Sequence, residues 1–503
     1  MNILTLTLGL LLPWLLGMAI LHALRGADDA PIDADGELAW LAGTGYLVGV
    51  VALTLWMRAL SRLGVPFGIA SIALPLVAAI AACAYAGARR TGMRATAQAA
   101  SRALRVPIGI GGTVRFVWWA LLAWLALRFV LLGFEVAWRP LFPWEAWIAW
   151  ATKARVWYEL GRMTPFVDAA TWFAATDPVW FDAGPGNPAT LPLLQVWASI
   201  ALGRWDDALM NWPWWQMSIA LLLLTYGGLR RLGFGALAAL LGASFVGTLP
   251  LANVHVALAG YADLPLATAY AAAVLAFLRW ASTRSVRALA AAIVFAAVCP
   301  LFKIIGLAWA LTLVPAVAVV LARKHGARIA AALFAVVLFA LAVLAQTNLV
   351  VAGRSLHLDF APEWQALSEG YLIFGTWNLL WYGVVGAALL AWRHLVAPSL
   401  LPLSTVVAGG LLLLFVLFSL PLSRALIDDA PTMSRATLHL APVLVVFMLA
   451  AFREFGERWG TAHPPPAPDD AGNDTIASAA AGAGAASPAT SAPAPGDDDA
   501  PAR

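Results

Sequence analysis

Five charged side chains stand where an apolar chain least accommodates them: Glu145, Lys153, Asp263, Lys303 and Arg435. Each interrupts or borders apolar residues, and ionisable groups at membrane depth are costly enough that they tend to mark function. Glu145 lies in Pro143-Trp-Glu-Ala-Trp-Ile-Ala-Trp-Ala-Thr-Lys-Ala-Arg155. A carboxylate there can take a proton from a hydroxyl or amine as that group attacks. Lys303 follows Cys299-Pro-Leu-Phe, and Arg435 precedes Thr437-Leu-His-Leu-Ala-Pro442. Fixed cations of this kind stabilise negative charge as it develops, and the planar guanidinium suits phosphate. Asp263, in Gly260-Tyr-Ala-Asp-Leu-Pro265, is placed to bind a cation or an acceptor group.

Each residue also has a plainer reading. Glu145 complements the dipole of a first helical turn, and Asp263 caps a helix with Pro265 in its first turn. Lys303 snorkels to an interface, and Arg435 belongs to a solvated cluster with Arg424, Asp428 and Asp429. His255, His357 and His439 share no metal-ligand spacing and read as structural.

The elements that must position these groups are membrane helices. The chain is 62% hydrophobic and 12% charged, with 25 Trp and a mean hydropathy of +0.81. A spanning helix needs ~20 mainly apolar residues. Such runs fall near 2–23, 39–59, 64–88, 115–134, 210–229, 232–250, 261–279, 287–302, 304–322, 329–350, 371–391, 399–421 and 437–452. The expectation is an all-α polytopic membrane protein of about 13 transmembrane helices. Its parts are a three-helix segment with a basic loop (1–114), a core (115–459) and a tail (460–503). The tail is rich in Ala, Pro, Gly, Ser and Asp, cannot bury a core, and is expected to be disordered. The first apolar run is too long for a signal-peptide core, and no Lys or Arg precedes it. Both cysteines, Cys83 and Cys299, sit in apolar segments, which implies no disulfide framework. The pI of 9.3 does not indicate nucleic acid, because the basic residues occupy short turns between helices. No nucleotide-binding glycine loop succeeds a strand.

Orientation comes from those turns. Arg89, Arg90, Arg94, Arg102, Arg105 and Arg115 put the segment before the fourth helix in the cytoplasm. The large loop at 135–209, with seven Trp between Glu135 and Asn187, is then outside. The apolar stretch 188–203 decides the sidedness of every later turn. If it lies at the outer interface, Arg230-Arg231, Arg279, Arg284, Arg287 and Arg323-Lys324 are all cytoplasmic. Glu145, Asp263, Lys303 and Arg435 then share the outer face. One mismatch remains: Asp28, Asp29, Asp33, Asp35 and Glu37 fall in the cytoplasm, and Arg58 and Arg62 outside. Within the loop, helical spacing from Pro143 to about Gly161 predicts one face of Trp147, Trp150, Ala154, Trp157 and Tyr158, with Glu145 opposite.

The order of these motifs resembles the GT-C membrane glycosyltransferases, over roughly Arg115 to Arg453. The branch is that of bacterial protein-mannosyltransferase-like, aminoarabinose-transferase-like and lipopolysaccharide galacturonosyltransferase-like proteins. The resemblance rests on Trp144-Glu-Ala-Trp147 with Lys153-Ala-Arg155, Asn187-Pro-Ala-Thr-Leu-Pro192, Gly260-Tyr-Ala-Asp-Leu-Pro265, Phe302-Lys303 with Gly306, and Arg435 with His439 and Pro442. It implies a GT-C-like fold with interfacial helices in the first outer loop. It also implies an inverting transfer of a sugar from a polyprenyl phosphate to an envelope glycan, glycolipid or protein, at the outer face of a bacterial inner membrane. Glu145 would be the base, Lys303, Arg435 and Lys153 would meet the donor phosphate, and Asp263 an acceptor or cation. A divalent metal ion is a possible cofactor. The chain departs from the pattern in carrying Glu145 where relatives often have Asp, and in lacking the His or Glu-Lys that some show near Asn187. A transporter or lipid flippase predicts internal repeats and charges at mid-depth. A non-catalytic envelope-assembly protein predicts outer carboxylates that can be removed without effect.

Overall fold

The computed structural model describes residues 3–26, 29–92, 98–102, 111–347, 349–351, 354–356, 364–419 and 430–462. His357, Arg424, Asp428, Asp429, Asp28, Arg94, Arg105 and the tail from 463 lie outside them. The described chain is helical apart from one small antiparallel ribbon, Leu349–Val351 with Arg354–Leu356, in which Val350 faces Ser355.

Seven described helices are each long and apolar enough to cross a bilayer, and an eighth crossing arises if one bent pair counts as a span. In chain order the principal helices are α1 (Ile3–Leu24), α2 (Glu37–Arg62), α3 (Ile69–Thr91) and α4 (Gly112–Trp138). The large loop carries α5 (Thr152–Leu160) and α6 (Thr190–Leu202). Next come α7 (Trp212–Arg231) and the pair α8 (Ala236–Gly247) and α9 (Pro250–Ala257), bent by 60°. They precede α10 (Asp263–Thr283), α11 (Val286–Phe302), α12 (Gly306–Leu311), α13 (Leu313–Leu321) and α14 (Gly326–Gln346). The last are α15 (Leu380–Leu390), α16 (Leu401–Ser419), α17 (Ala430–Leu438) and α18 (Ala441–Ala462).

The sequence marks 304–322 and 371–391 as single runs. The structure breaks the first at Thr312 and confines the second to the eleven residues of α15.

Burial sorts the helices by position. In α10, 89% of the apolar window is enclosed by protein, against 6% in α14. The reason is local: Ala267, Ala269, Ala271, Ala272, Ala273 and Ala276 let neighbours approach α10 from all sides, as small residues do in membrane packing. Helices α1 and α2 approach closely through glycines. A Cβ on Gly17 would strike the carbonyl of Gly45, and one on Gly49 the carbonyl of Pro13. The described helices α1 to α3 belong to the compact unit Met1–Phe455, in which α2 packs on α7. The remaining unit, Gly456–Arg503, is described only to Ala462.

Ion pairs account for the mismatch left by the charge reading. The acidic α1–α2 connection meets arginines at the end of α7 and the start of α11: Asp35 pairs with Arg230, Glu37 Oε1 with Arg231 Nε at 2.6 Å, and Asp29 with Arg287 at 3.1 Å. Asp33 holds Arg102 at 2.7 Å. The acids and the arginines therefore share one end of the bundle, the basic end. At the opposite end, Arg58 donates to Thr190 Oγ1 at 3.0 Å, and the backbone N–H of Phe67 donates to the Gly161 carbonyl at 2.6 Å. The α2–α3 turn thus closes against the large loop, and Arg58 has a partner there.

Candidate functional site

In the large loop Pro143, with its extended ψ, sets up the single turn Trp144–Ala146. Glu145 rides on this turn. The next five residues, Trp147–Ala151, wind as a π-helix before α5 continues to Leu160 and stops at Gly161 in the left-handed conformation. A π turn inserts one residue into the helical repeat and rotates the helix before it against the helix after it. Hence Trp150, Ala154 and Trp157 are buried while Trp147 is half-exposed, and the single aromatic face expected from regular spacing is split.

The expectation for 188–203 is also modified. Thr190 is tied to Arg58, and just past the helix Leu141 N–H donates to the Asp207 carbonyl at 3.1 Å, so both ends of α6 lie at the loop end. At 13 residues it is shorter than a spanning helix, and it does not lie open along a surface. Nearly all its side chains are enclosed by protein, and Trp197 Nε1 donates to the Gly9 carbonyl of α1 at 2.8 Å.

Lys153 lies in this loop, and its ammonium is committed there. It pairs with Asp182 at 2.8 Å and donates to the carbonyls of Gly184 at 2.7 Å and Asn187 at 3.1 Å, with both charged side chains buried. Two of the ammonium's donors go to those carbonyls, and its charge is matched by the Asp182 carboxylate. The phosphate role that the resemblance assigns to Lys153 is therefore taken by a clasp on the Asp182–Asn187 turn. Sequence reasoning missed Asp182. An acid just before Ala-Gly-Pro-Gly was the available signal.

The other candidates converge. Gly260, at φ +110°, passes so close to the Glu145 turn that a Cβ would meet Ala146 Cβ and Leu141 Cδ1 at 2.8 Å. Trp214 Nε1 donates to the Tyr261 carbonyl at 2.6 Å and fixes the other side of that turn. Asp263 then opens α10 with its side chain fully buried. It makes no side-chain cap, contrary to the plain reading of its position. Instead Oδ1 accepts from Lys303 Nζ at 2.8 Å and lies 3.0 Å from His439 Nε2, while Oδ2 accepts from Arg435 Nε at 2.9 Å. His255 Nε2 stands 3.7 Å from Oδ2.

Lys303 reaches Asp263 because α11 ends at Phe302 and Lys303 itself is extended. Its side chain is about a quarter exposed, so it is paired as well as able to snorkel. Arg435, on α17, lies over the Tyr261 ring with Cζ 4.1 Å from its centroid. Its Nη1 donates to Glu145 Oε2. Burial works against the arginine's charge, but Asp263 and Glu145 more than offset it and hold the guanidinium above its ordinary range.

The arrangement is a graded network. Asp263 forms the floor, Arg435 is the bridge, and Lys303 and Glu145 form the rim, Glu145 being 40% exposed in its side chain. His439, read from sequence as structural, joins the floor, with its ring edge-on to Trp309. Tyr261 was missed as the arginine's platform. Its only sequence signal is its place two residues before Asp263.

The donor set bears on the metal question. Asp263 already accepts from two cations, so a divalent ion there would have to displace Lys303 and Arg435. Among the described residues no three His, Cys, Asp or Glu side chains are grouped to hold a metal ion. Chemically, the rim offers a carboxylate beside fixed cations, the combination needed to take a proton next to a developing anion. No protein family, curated protein or solved structure matches this chain.

Proposed function

We propose that this protein is an inverting membrane glycosyltransferase that takes a sugar from a polyprenyl phosphate and gives it to an envelope glycan, glycolipid or protein. The observation that carries the reading is the convergence of Glu145, Asp263, Lys303 and Arg435, from four separate segments, at one end of a helical membrane bundle. That end is opposite the arginine-rich turns, and under the positive-inside rule this supports an outward-facing site, in this reading on a bacterial inner membrane. The fold in this reading is GT-C-like with about 13 crossings, the short and broken helices included.

In the reaction, an acceptor oxygen or nitrogen attacks the anomeric carbon as the bond from that carbon to the phosphate oxygen breaks. The electron pair leaves with the lipid phosphate, whose growing charge Lys303 and Arg435 offset. The acceptor's proton goes to Glu145. Attack opposite the leaving group inverts the anomeric centre. Transport is less well supported, because the ionisable cluster gathers at one end and not at mid-depth.

The test is mass spectrometry of envelope glycans and glycolipids from three strains: a deletion, the deletion restored with wild type, and the deletion restored with Glu145→Gln at matched protein level. One sugar should be lost in the deletion, return with wild type and stay absent with the substitution. An unchanged profile in the deletion, with redundancy excluded, would overturn the reading.

A further inference from the structure

We infer that Glu145 and the donor phosphate compete for Arg435, so that arrival of the phosphate is what releases the base. The inference rests on the function proposed above and adds an order of events to it.

Charge balance leads there. The network holds two carboxylates, Glu145 and Asp263, and two full cations, Lys303 and Arg435, already matched to one another. An anionic lipid headgroup that meets Lys303 and Arg435 at the rim finds both already paired, so a carboxylate must yield to it. The two carboxylates differ sharply in how easily they do so. Asp263 is fully buried and held by Lys303, Arg435 and His439; uncovering it would strand a charge in a low-dielectric floor. Glu145 is 40% exposed, and among the described residues its side chain is held by Arg435 Nη1. Its departure moves one half-solvated side chain.

Arg435 itself need not move. Its Nε stays on Asp263 and its ring-stacked face on Tyr261, while the Nη edge changes partner. The exchange has a chemical consequence. In the resting protein the Glu145 carboxylate is engaged by Arg435 Nη1. Once phosphate takes the Nη edge, that carboxylate is released to accept a hydrogen bond from the acceptor, next to the bond that is to break.

Binding of polyprenyl phosphate to the full-length protein in nanodiscs tests this, with neutral polyprenol as the tail-only probe and inorganic phosphate as the headgroup-only probe. Glu145→Gln removes the competitor's charge at nearly constant size. It should bind polyprenyl phosphate about two- to fivefold more tightly than wild type, the scale of a partly exposed ion pair, with polyprenol binding unchanged. Tighter inorganic phosphate as well would place the whole effect in the headgroup and support the exchange. Glu145→Ala should behave like Glu145→Gln and stands in for it if that variant is not monodisperse. Equal or weaker binding of polyprenyl phosphate by both variants would overturn the exchange while leaving the proposed function intact. No difference between polyprenyl phosphate and polyprenol in any of the proteins would overturn the proposed function and the exchange together.

Discussion

Removing the floor of the network should cost far more than removing its rim. Asp263→Asn deletes a carboxylate whose side chain is wholly buried and leaves Lys303 and Arg435 without the group that holds them together. Breaking a buried ion pair from one side costs about 3–5 kcal/mol, because a charge is left behind in low dielectric. An Asn can still accept hydrogen bonds at its one carbonyl oxygen, which places the expected loss near the lower end, about 3 kcal/mol. Glu145→Gln touches a half-exposed carboxylate held by Arg435, where solvent screening reduces the loss to below about 1 kcal/mol. The contrast between the two is the prediction. A second change sharpens it: in the Asp263→Asn background, Lys303→Met removes one stranded cation and should restore part of the stability, a coupling of about 1–3 kcal/mol. The assay is unfolding in a graded series of denaturing detergent in mixed micelles, tracked by the fluorescence of the 25 tryptophans. If Asp263→Asn is no less stable than Glu145→Gln, Asp263 does not anchor the network, and floor and rim are not graded.

Two other regions of the same structure can be tested as directly. Lys153→Met should lower stability by about 3 kcal/mol by leaving Asp182 buried and alone, and should expose the Asp182–Asn187 turn to protease; binding of polyprenyl phosphate by the fraction that folds should remain at the wild-type level, and a selective loss of that binding with normal stability would return Lys153 to the phosphate site. In a background of Cys83→Ser and Cys299→Ser, cysteines introduced at Ser101 and at Phe173, both exposed, should react with a membrane-impermeant thiol reagent from opposite sides of the bilayer; labelling of both from one side would refute the assignment of a basic end and a loop end.

What the sequence determines by itself is what depends on composition and on near neighbours. Apolar runs of spanning length name the environment, because lipid leaves the backbone little choice but to bond to itself within a helix. Clustered arginines in short turns mark one end, because the rule behind them counts charges within reach of each helix terminus. The positions Glu145, Asp263, Lys303 and Arg435 were legible as candidates because a charge in an apolar run stands out without any knowledge of its partners. Their partners were not legible. Glu145 and Arg435 are 290 residues apart, and only the packing of the Gly260 turn against Ala146, and of α17 over Tyr261, brings them together. Lys153 looked the same as Lys303 in sequence, yet one clasps its own loop and the other meets Asp263. The difference lies in which acid the fold delivers to each ammonium. Helical spacing likewise could not foresee the π turn at Trp147–Ala151, because one inserted residue costs little locally and is selected by what the flanking segments must touch. Even the acidic stretch that defied the charge rule became sensible only through Arg230, Arg231 and Arg287, which the helices carry back to the same end. Local chemistry is written along the chain, whereas charge balance is a property of groups that only the tertiary structure makes neighbours.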